Sequence, residues 1–466
     1  MKIRNDKMRK IKRTTIVLGL VFSLIGCFSS EDGCANPKLV TVFPKDKTII
    51  QTGDSVELLV AAVGADNRLK TWQWGRDYKI FSIIDYGTEN IDIIGDVIKA
   101  KKRGLARIKV GYKPKHSTRY YDSPILEIKD NLYKIRKNKQ LNKKPKKVIF
   151  SNNKLYMVET DNFILKLKEY DDDLIVKSEE DVVEEKNIFF DNDLEKYTVE
   201  NGILKNISNG KELEISKTEA VNYYLNDDNK NYLLYKFKEN KNKLGEVENY
   251  VDKVGIISLK NMSKILELDD MPVRIYYGKE KIYLISNILE LEEGFVIKTY
   301  DYSGNFLEKN LYSTGKLISD KVETEYKGKP RSIGEKILII KSDGENLYVA
   351  FNTDEDRYPG GNILCIDKNS LVVKSHKHIN GYFISDFKIL KDNIIFSTKT
   401  TVRRILNVGI DNRNTIFVYD KNSYNMKFMK NVTSEKIDIY NNDNYLYILG
   451  YSLDDYNCEI EQIEIY

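Results

Sequence analysis

Proline is scarce in this chain, at 8 of 466 residues, and so are cysteine (4), histidine (3) and tryptophan (2). Each shortage excludes something. With so little proline and only 26 glycines, the chain is neither collagen-like nor a Pro/Gly low-complexity polymer. Four cysteines over this length do not make a disulfide scaffold. His116, His376 and His378 leave little material for Ser/His/Asp catalysis. Gly-x-Ser-x-Gly elbows, phosphate loops and calcium loops of the D-x-[DN]-x-[DN]-G form are missing as well. The formal charge of +5 is also less than it looks. Residues 1–26 hold seven of the 75 Lys/Arg and one of the 70 Asp/Glu, so the rest carries 68 basic against 69 acidic groups. Without that segment the chain is nearly neutral, and no nucleic-acid partner is expected. What is present is 41% hydrophobic residues, enough for packed cores, and 32 tyrosines. The length suggests two or three domains.

The first thirteen residues are basic, and an uncharged apolar run follows over Thr14–Gly26. That run falls short of the ~20 apolar residues a spanning helix needs and fits a secretory signal. It ends in Leu24-Ile25-Gly26-Cys27, which resembles the lipobox of bacterial lipoproteins. The resemblance implies that residues 1–26 are a signal peptide cleaved before Cys27. It also implies a diacylglycerol on the Cys27 sulfur and a fatty acyl group, such as palmitate, on the new amino group. More than one chain is physically sensible, because a single acyl chain holds a protein only marginally at ~0.8 kcal/mol per buried CH₂. Residues 27–36 read as a polar tether. Phe28, rather than Asp, after the cysteine favours an outer-membrane or cell-surface location.

Residues 37–129 read as short strands spaced by turn signals, the pattern of a β-sandwich. The series Gly95-Asp-Val97-Ile-Lys-Ala100 followed by Gly104-Leu-Ala106-Arg-Ile108-Lys-Val110, with Trp72 upstream, resembles a bacterial Ig-like group 2 domain. The resemblance implies a sandwich used as a spacer or adhesive module, with Gly104 in a positive-φ turn, Ala106, Ile108 and Val110 facing the core, and Trp72 as its core tryptophan.

Residues 130–147 read as a basic linker. The stretch Lys129–Lys147 has nine Lys/Arg against one Asp. Self-repulsion would hold it open between domains, and it could also draw phosphate-rich envelope polymers.

Residues 148–466 show internal repeats. An apolar–Tyr–apolar triplet recurs at Leu155-Tyr156-Met157, Ile282-Tyr283-Leu284, Leu347-Tyr348-Val349 and Leu446-Tyr447-Ile448. Weaker copies stand at Tyr232-Leu233-Leu234 and Ile394-Ile395-Phe396. A strand ending in an acidic turn follows at Tyr170-Asp171, Tyr300-Asp301, Ile366-Asp367 and Tyr419-Asp420, the last two sharing Asp-Lys-Asn-Ser. Four-stranded sheets that cannot bury both faces alone do so by radial stacking, which predicts a β-propeller. Six units are recognisable, and a seventh is expected between Asn187 and Ser216. The unit Ile437–Tyr466 is one strand short. Val148-Ile149-Phe150, or a segment before it, is expected to complete it and close the ring. Neither a Trp-Asp ending, a kelch Gly-Gly doublet nor a quinoprotein repeat occurs, so no specific propeller family is indicated. The fold class is therefore all-β: an Ig-like sandwich plus a propeller of six or seven blades.

Chemistry is sparse. His376-Lys-His378 on a strand puts two imidazoles on one face about 7 Å apart. The segment reads as an outer strand with exposed polar residues, and no metal or cofactor is expected. Asp171-Asp-Asp173, Asp227-Asp228, Asp354-Glu-Asp356 and Asp454-Asp455 sit among turn residues and read as solvated turns. Cys34, Cys365 and Cys458 are not paired by spacing, and Cys365 reads as a buried hydrophobe. Tyr358-Pro-Gly-Gly361 reads as an exposed loop, and most tyrosines as blade packing. No catalytic residue is assigned. The expected function is a lipid-anchored, non-catalytic envelope protein whose propeller binds protein or glycan partners. An envelope assembly scaffold and a carbohydrate-active hydrolase or lyase are the alternatives.

Overall fold

The computed structural model describes residues 39–466 apart from 44–46, 58, 64–78, 95–96, 114–118, 162–163, 183–187, 192, 216–221, 227–228, 241–249, 269–273, 288–293, 314–338, 354–359 and 401–413. Every regular element among the described residues is a strand.

The repeats fold as expected from their period-two apolar pattern. Among the described residues there are seven four-stranded antiparallel sheets. Blades 1 to 6 are consecutive meanders over 147–182, 189–214, 222–268, 274–313, 339–380 and 382–432. Blade 2 is the seventh unit expected between Asn187 and Ser216. Blade 7 takes three strands from 436–465, and its outer strand is Tyr133–Lys143, antiparallel to Tyr456–Ile465. The segment expected to be an open basic linker is thus mostly strand. Its lysines did not prevent pairing because they point outward or reach blade 1, where Lys137 pairs with Asp173 and Lys139 donates to Leu174 O, while acids of the opposite strand meet other side chains. The Arg136 guanidinium donates to Glu464 at 2.6 Å, and Asn138 donates to Glu459. Val148-Ile149-Phe150, the other candidate for closure, is instead the first strand of blade 1.

Seven apolar clusters sit at the seven junctions between neighbouring blades, including that between blades 7 and 1. The ring is closed, which defines a β-propeller. The triplets occupy the second strand of their blades and split between two junctions by strand alternation. In blade 5, Leu347 and Val349 face blade 4, while Tyr348 faces blade 6. In blade 7, Leu446 and Ile448 face blade 6, and Tyr447 faces blade 1. Blade 3 is offset by one residue from the sequence expectation. Leu233 and Tyr235 take the backward positions, and Leu234 the forward one.

The acidic turns carry a second repeated device. The carboxylate that ends the third strand accepts backbone N–H groups across the turn: Asp171 from Asp173 and Ile175, Asp301 from Ser303 and Asn305, Asp367 from Asn369 and Ser370, Asp420 from Asn422 and Ser423. The turn then holds a residue at positive φ: Leu174 (58°), Gly304 (84°), Leu371 (53°) and Tyr424 (54°). A branched or bulky residue in that region costs about 1–2 kcal/mol. Burial offsets the cost. Leu174 plugs the junction with blade 7, Leu371 that with blade 4, and Tyr424 packs on that with blade 5. The preceding blade grips the plug by its carbonyl. Tyr312 and Asn310 donate to Leu371 O at 2.7 and 2.9 Å, and Lys139 of the closing strand donates to Leu174 O at 2.9 Å.

Ahead of the ring, strands from 39 to 129 form three sheets. Leu39–Phe43 pairs with Leu59–Val63. Thr48–Gln51, Leu126–Lys129, Gly104–Lys113 and Lys79–Tyr86 form a second sheet, with Arg119–Asp122 added beside Gly104–Lys113. Ser55–Glu57, Val97–Ala100 and Ile91–Ile94 form the third. Ile50, Leu126, Ala106 and Ile108 of the second sheet share a core with Val56, Ile91, Ile98 and Ala100 of the third. Gly104 has φ 151°, and a Cβ there would lie 2.5 Å from Asn90 Nδ2, which donates to Leu105 O. The side chain of Val110, together with Trp72 and Trp74, lies outside the described residues. This core is continuous with the junction of blades 5 and 6.

If the plugs are strained but buried, Leu371→Ala costs about 2–5 kcal/mol in urea unfolding. Leu371→Gly then costs no more than Leu371→Ala, although glycine is ordinarily worse than alanine by about 0.5–1 kcal/mol. A clearly larger loss for the glycine variant would contradict the strain.

Candidate functional site

A set of interacting polar groups lies where the N-terminal module meets the ring. Only Asp130, Asn131 and Leu132 separate the module's last strand from the closing strand. Gln51 ends a module strand, and its Oε1 accepts the backbone N–H of both Leu132 and Tyr133, at 3.0 and 2.9 Å. Thr52 Oγ1 donates to Asp130, and Thr52 N to Lys129 O. The Tyr133 phenol donates to the Asp54 carboxylate. Burial raises the Asp54 pKa, against the lowering effect of Tyr133 and the more distant Lys430. Burial and then the Asp54 charge raise that of Tyr133. Tyr133 also packs on Phe428 of blade 6, with ring centroids 5.0 Å apart. The module is therefore fixed to the strand that closes the propeller.

Lys430, on the outer strand of blade 6, sits 5.4 Å from the Tyr133 ring centroid and 3.6 Å from Glu461 Oε2. Beside it is a cavity of about 170 Å³, lined by Lys430, Thr433, Ser434, Gly450, Glu459 and Glu461 among others. Glu459, Glu461 and Ile463 alternate onto one face of their strand. Ile463 enters the core between blades 6 and 7, and the two glutamates carry that face into the cavity. Gly450 follows Leu446 and Ile448 on the facing strand, a position that Phe351 fills in blade 5. Ser434 takes the place of the missing side chain, since a Cβ on Gly450 would overlap Ser434 Oγ. The cavity was not anticipated, and Gly450 set against Phe351 in the aligned triplets marks only the close approach of Ser434.

The candidates named from sequence fall elsewhere. Cys27, Cys34 and His116 lie outside the described residues. His376 and His378 do share one face of the outer strand of blade 5, and both turn a ring nitrogen to Asn362 Oδ1, at 2.9 and 3.0 Å. They are not the exposed polar pair expected. His376 is 6% exposed and Asn362 fully buried, so both rings serve one internal acceptor. Asp171 and Asp454 are turn acceptors, as expected, while Asp227-Asp228 and 354–356 are not among the described residues. Cys365 and Cys458 are buried free thiols on different blades. Gly360 and Gly361 form no exposed loop. They start a buried strand, and a Cβ on Gly361 would lie 2.4 Å from Ile384 Cγ1. Tyr197, Tyr235, Tyr348 and Tyr382 are among the largest fully buried side chains, which confirms tyrosine as blade packing. Among the described residues no group of three or more His, Cys, Asp or Glu is placed to hold a metal ion.

No family model and no curated protein matches this chain. Among solved structures it is similar to a quinonprotein alcohol dehydrogenase-like protein from Bacteroides thetaiotaomicron, at 11% identity and TM-score 0.36 over 91% of this chain and 97% of that one. It is also similar to the C-terminal WD40 domain of Sif2, at 10% identity and TM-score 0.36 over 92% and 99%. A third is the WD40 domain of Neurospora crassa Pan2, at 8% identity and TM-score 0.40 over 72% and 97%. At such scores it is the sheet order and the closed ring of junctions that define the class: an all-β chain with a seven-bladed propeller.

Two outcomes follow. Tyr133→Phe leaves the half-buried Asp54 carboxyl without its donor and costs about 1–3 kcal/mol. Hydrogen exchange should then quicken in both Thr48–Gln51 and Tyr133–Lys143, and quickening in only one of them would mean that docking and closure are separate. The second outcome concerns acid. Donors hold the turn carboxyls below their ordinary range: Ser423 for Asp420, Ile175 for Asp171, the Asn305 side chain for Asp301, and Lys374 with Ser370 for Asp367. A depressed folded pKa adds stability that is full above the unfolded value near ~3.9 and is lost as pH falls through the folded one. Asp420→Asn keeps the acceptor and loses the charge. Its stability deficit, followed by denaturant titration, is therefore largest near neutrality and closes below about pH 4.

Proposed function

We propose that this protein is a lipid-anchored component of the bacterial cell envelope. Its propeller binds a protein or glycan partner without catalysis, and its Ig-like module stands between the anchor and the ring. The observation that carries the reading is Leu24-Ile25-Gly26-Cys27 at the end of a short apolar run behind a basic start. The first described strand opens soon after, at Leu39. Support for a binding rather than a catalytic ring comes from the turns. The repeated aspartates are occupied by backbone donors, and what the blades offer outward is surface. Support for an Ig-like module comes from the shared core of two sheets and from Gly104 at positive φ. The module is a rigid mount rather than a hinged spacer, because Gln51 and Asp54 hold the closing strand.

The test is the mature N-terminus. Mass spectrometry of the purified membrane-associated protein should find a peptide starting at Cys27 with acyl chains. Cys27→Ala should stay unprocessed and unacylated. An unmodified Cys27, or a mature start elsewhere, would end the anchoring part. Binding of the purified chain to envelope glycans and extracellular-matrix proteins tests the rest, and protease treatment of intact cells separates a surface binder, which is cut, from a periplasmic scaffold, which survives.

A further inference from the structure

The cavity between blades 6 and 7 has a definite electrostatic character. Glu459 and Glu461 face it from blade 7 and Lys430 from blade 6, so it carries one net negative charge. Glu461 Oε2 is shielded from solvent, yet it accepts no hydrogen bond among the described residues. Lys430 at 3.6 Å is an ion-pair partner beyond good hydrogen-bonding distance. A buried carboxylate oxygen without a donor is costly, so the site favours an incoming N–H. The Ser434 and Thr433 hydroxyls add neutral acceptors. Size narrows the occupant further. About 170 Å³ holds several waters, but it is well under the ~300–1,000 Å³ of pockets for drug-sized ligands. A bare metal ion is disfavoured by the ammonium already present.

We propose that this cavity is a binding site for one small cationic end-group, a guanidinium or primary ammonium on a short alkyl stem. The charge sits between Glu461 and Glu459, donating to Glu461 Oε2 and to Glu459, which also accepts from Asn138. Lys430 competes for Glu461 and sets the affinity. The site does not depend on acylation of Cys27 or on the envelope reading. The same chemistry is available from a free amine or guanidine and from an arginine or lysine side chain of a protein partner.

The experiment is calorimetric titration of the full chain in detergent with butylguanidinium, butylammonium, butyrate and a short peptide with a central arginine, the last also in its citrulline form. Saturable binding of the cations, and none of butyrate, is expected. Glu461→Gln should weaken it about ten- to hundredfold, the worth of a charge-assisted hydrogen bond. Lys430→Gln should strengthen it, a gain that a misfolded variant does not produce. Binding of the free cations marks a small-molecule source. Binding of the arginine peptide alone, lost with citrulline, marks a side chain of a partner. No saturation by any cation at tens of millimolar, equal binding in Glu461→Gln, or butyrate binding as well as butylguanidinium would each overturn the site.

Discussion

A four-stranded sheet with apolar side chains on both faces has no stable existence by itself. Each face needs a neighbour, and a row of such sheets needs its ends joined. Here that join is one antiparallel pairing, Tyr133–Lys143 on Tyr456–Ile465. The junctions on either side of blade 7 use side chains from these two strands: Tyr133 and Ile463 towards blade 6, Leu141 and Ile460 towards blade 1. The plugs at Leu174 and Leu371 belong to the same constraint. A leucine is held in an unfavourable backbone region because its burial in the junction offsets the cost.

Closure and docking are one structure. Tyr133 begins the closing strand, packs at a tilt on Phe428 and donates to Asp54, while its backbone N–H goes to Gln51. The charges are matched along the seam. Arg136 meets Glu464, Lys137 meets Asp173 at 2.8 Å, and Lys144 meets Asp438 at 2.8 Å. Exposed pairs of this kind are each worth only about 0–1 kcal/mol, so they select register more than they stabilise. The apolar core continuous from module to ring supplies the bulk of the holding force.

Much of this was legible. Triplets alternating large apolar residues located the second strands, and Tyr-Asp or Asp-Lys-Asn-Ser located the turns after the third. What failed to show has physical causes. The closing strand is masked by its lysines, because only Tyr133 and Leu141 are buried and outward residues dominate its composition. A leucine at positive φ contradicts local preference, so no turn rule flags Leu371. Tyr232-Leu233-Leu234 misled by one position because a tyrosine ends the true backward-facing pair rather than standing at its centre. Gly360 and Gly361 imitate a loop signal, although the Ile379 carbonyl, the His378 ring and Ile384 crowd them. The seam needs residues from distant segments and is invisible to any local pattern.

The order of the closing strands along the chain has a consequence for biosynthesis. Arg136 and Glu464, joined across the seam, are 328 positions apart. The earlier strand leaves the ribosome first and must wait, unmatched, for nearly the whole ring to be translated. Contacts so remote form slowly, since a long loop must be ordered before they repay it. During that interval an open sheet edge invites strangers, and a row of lysines repels them. Lysines on an unpaired edge thus discourage wrong pairing before the seam closes.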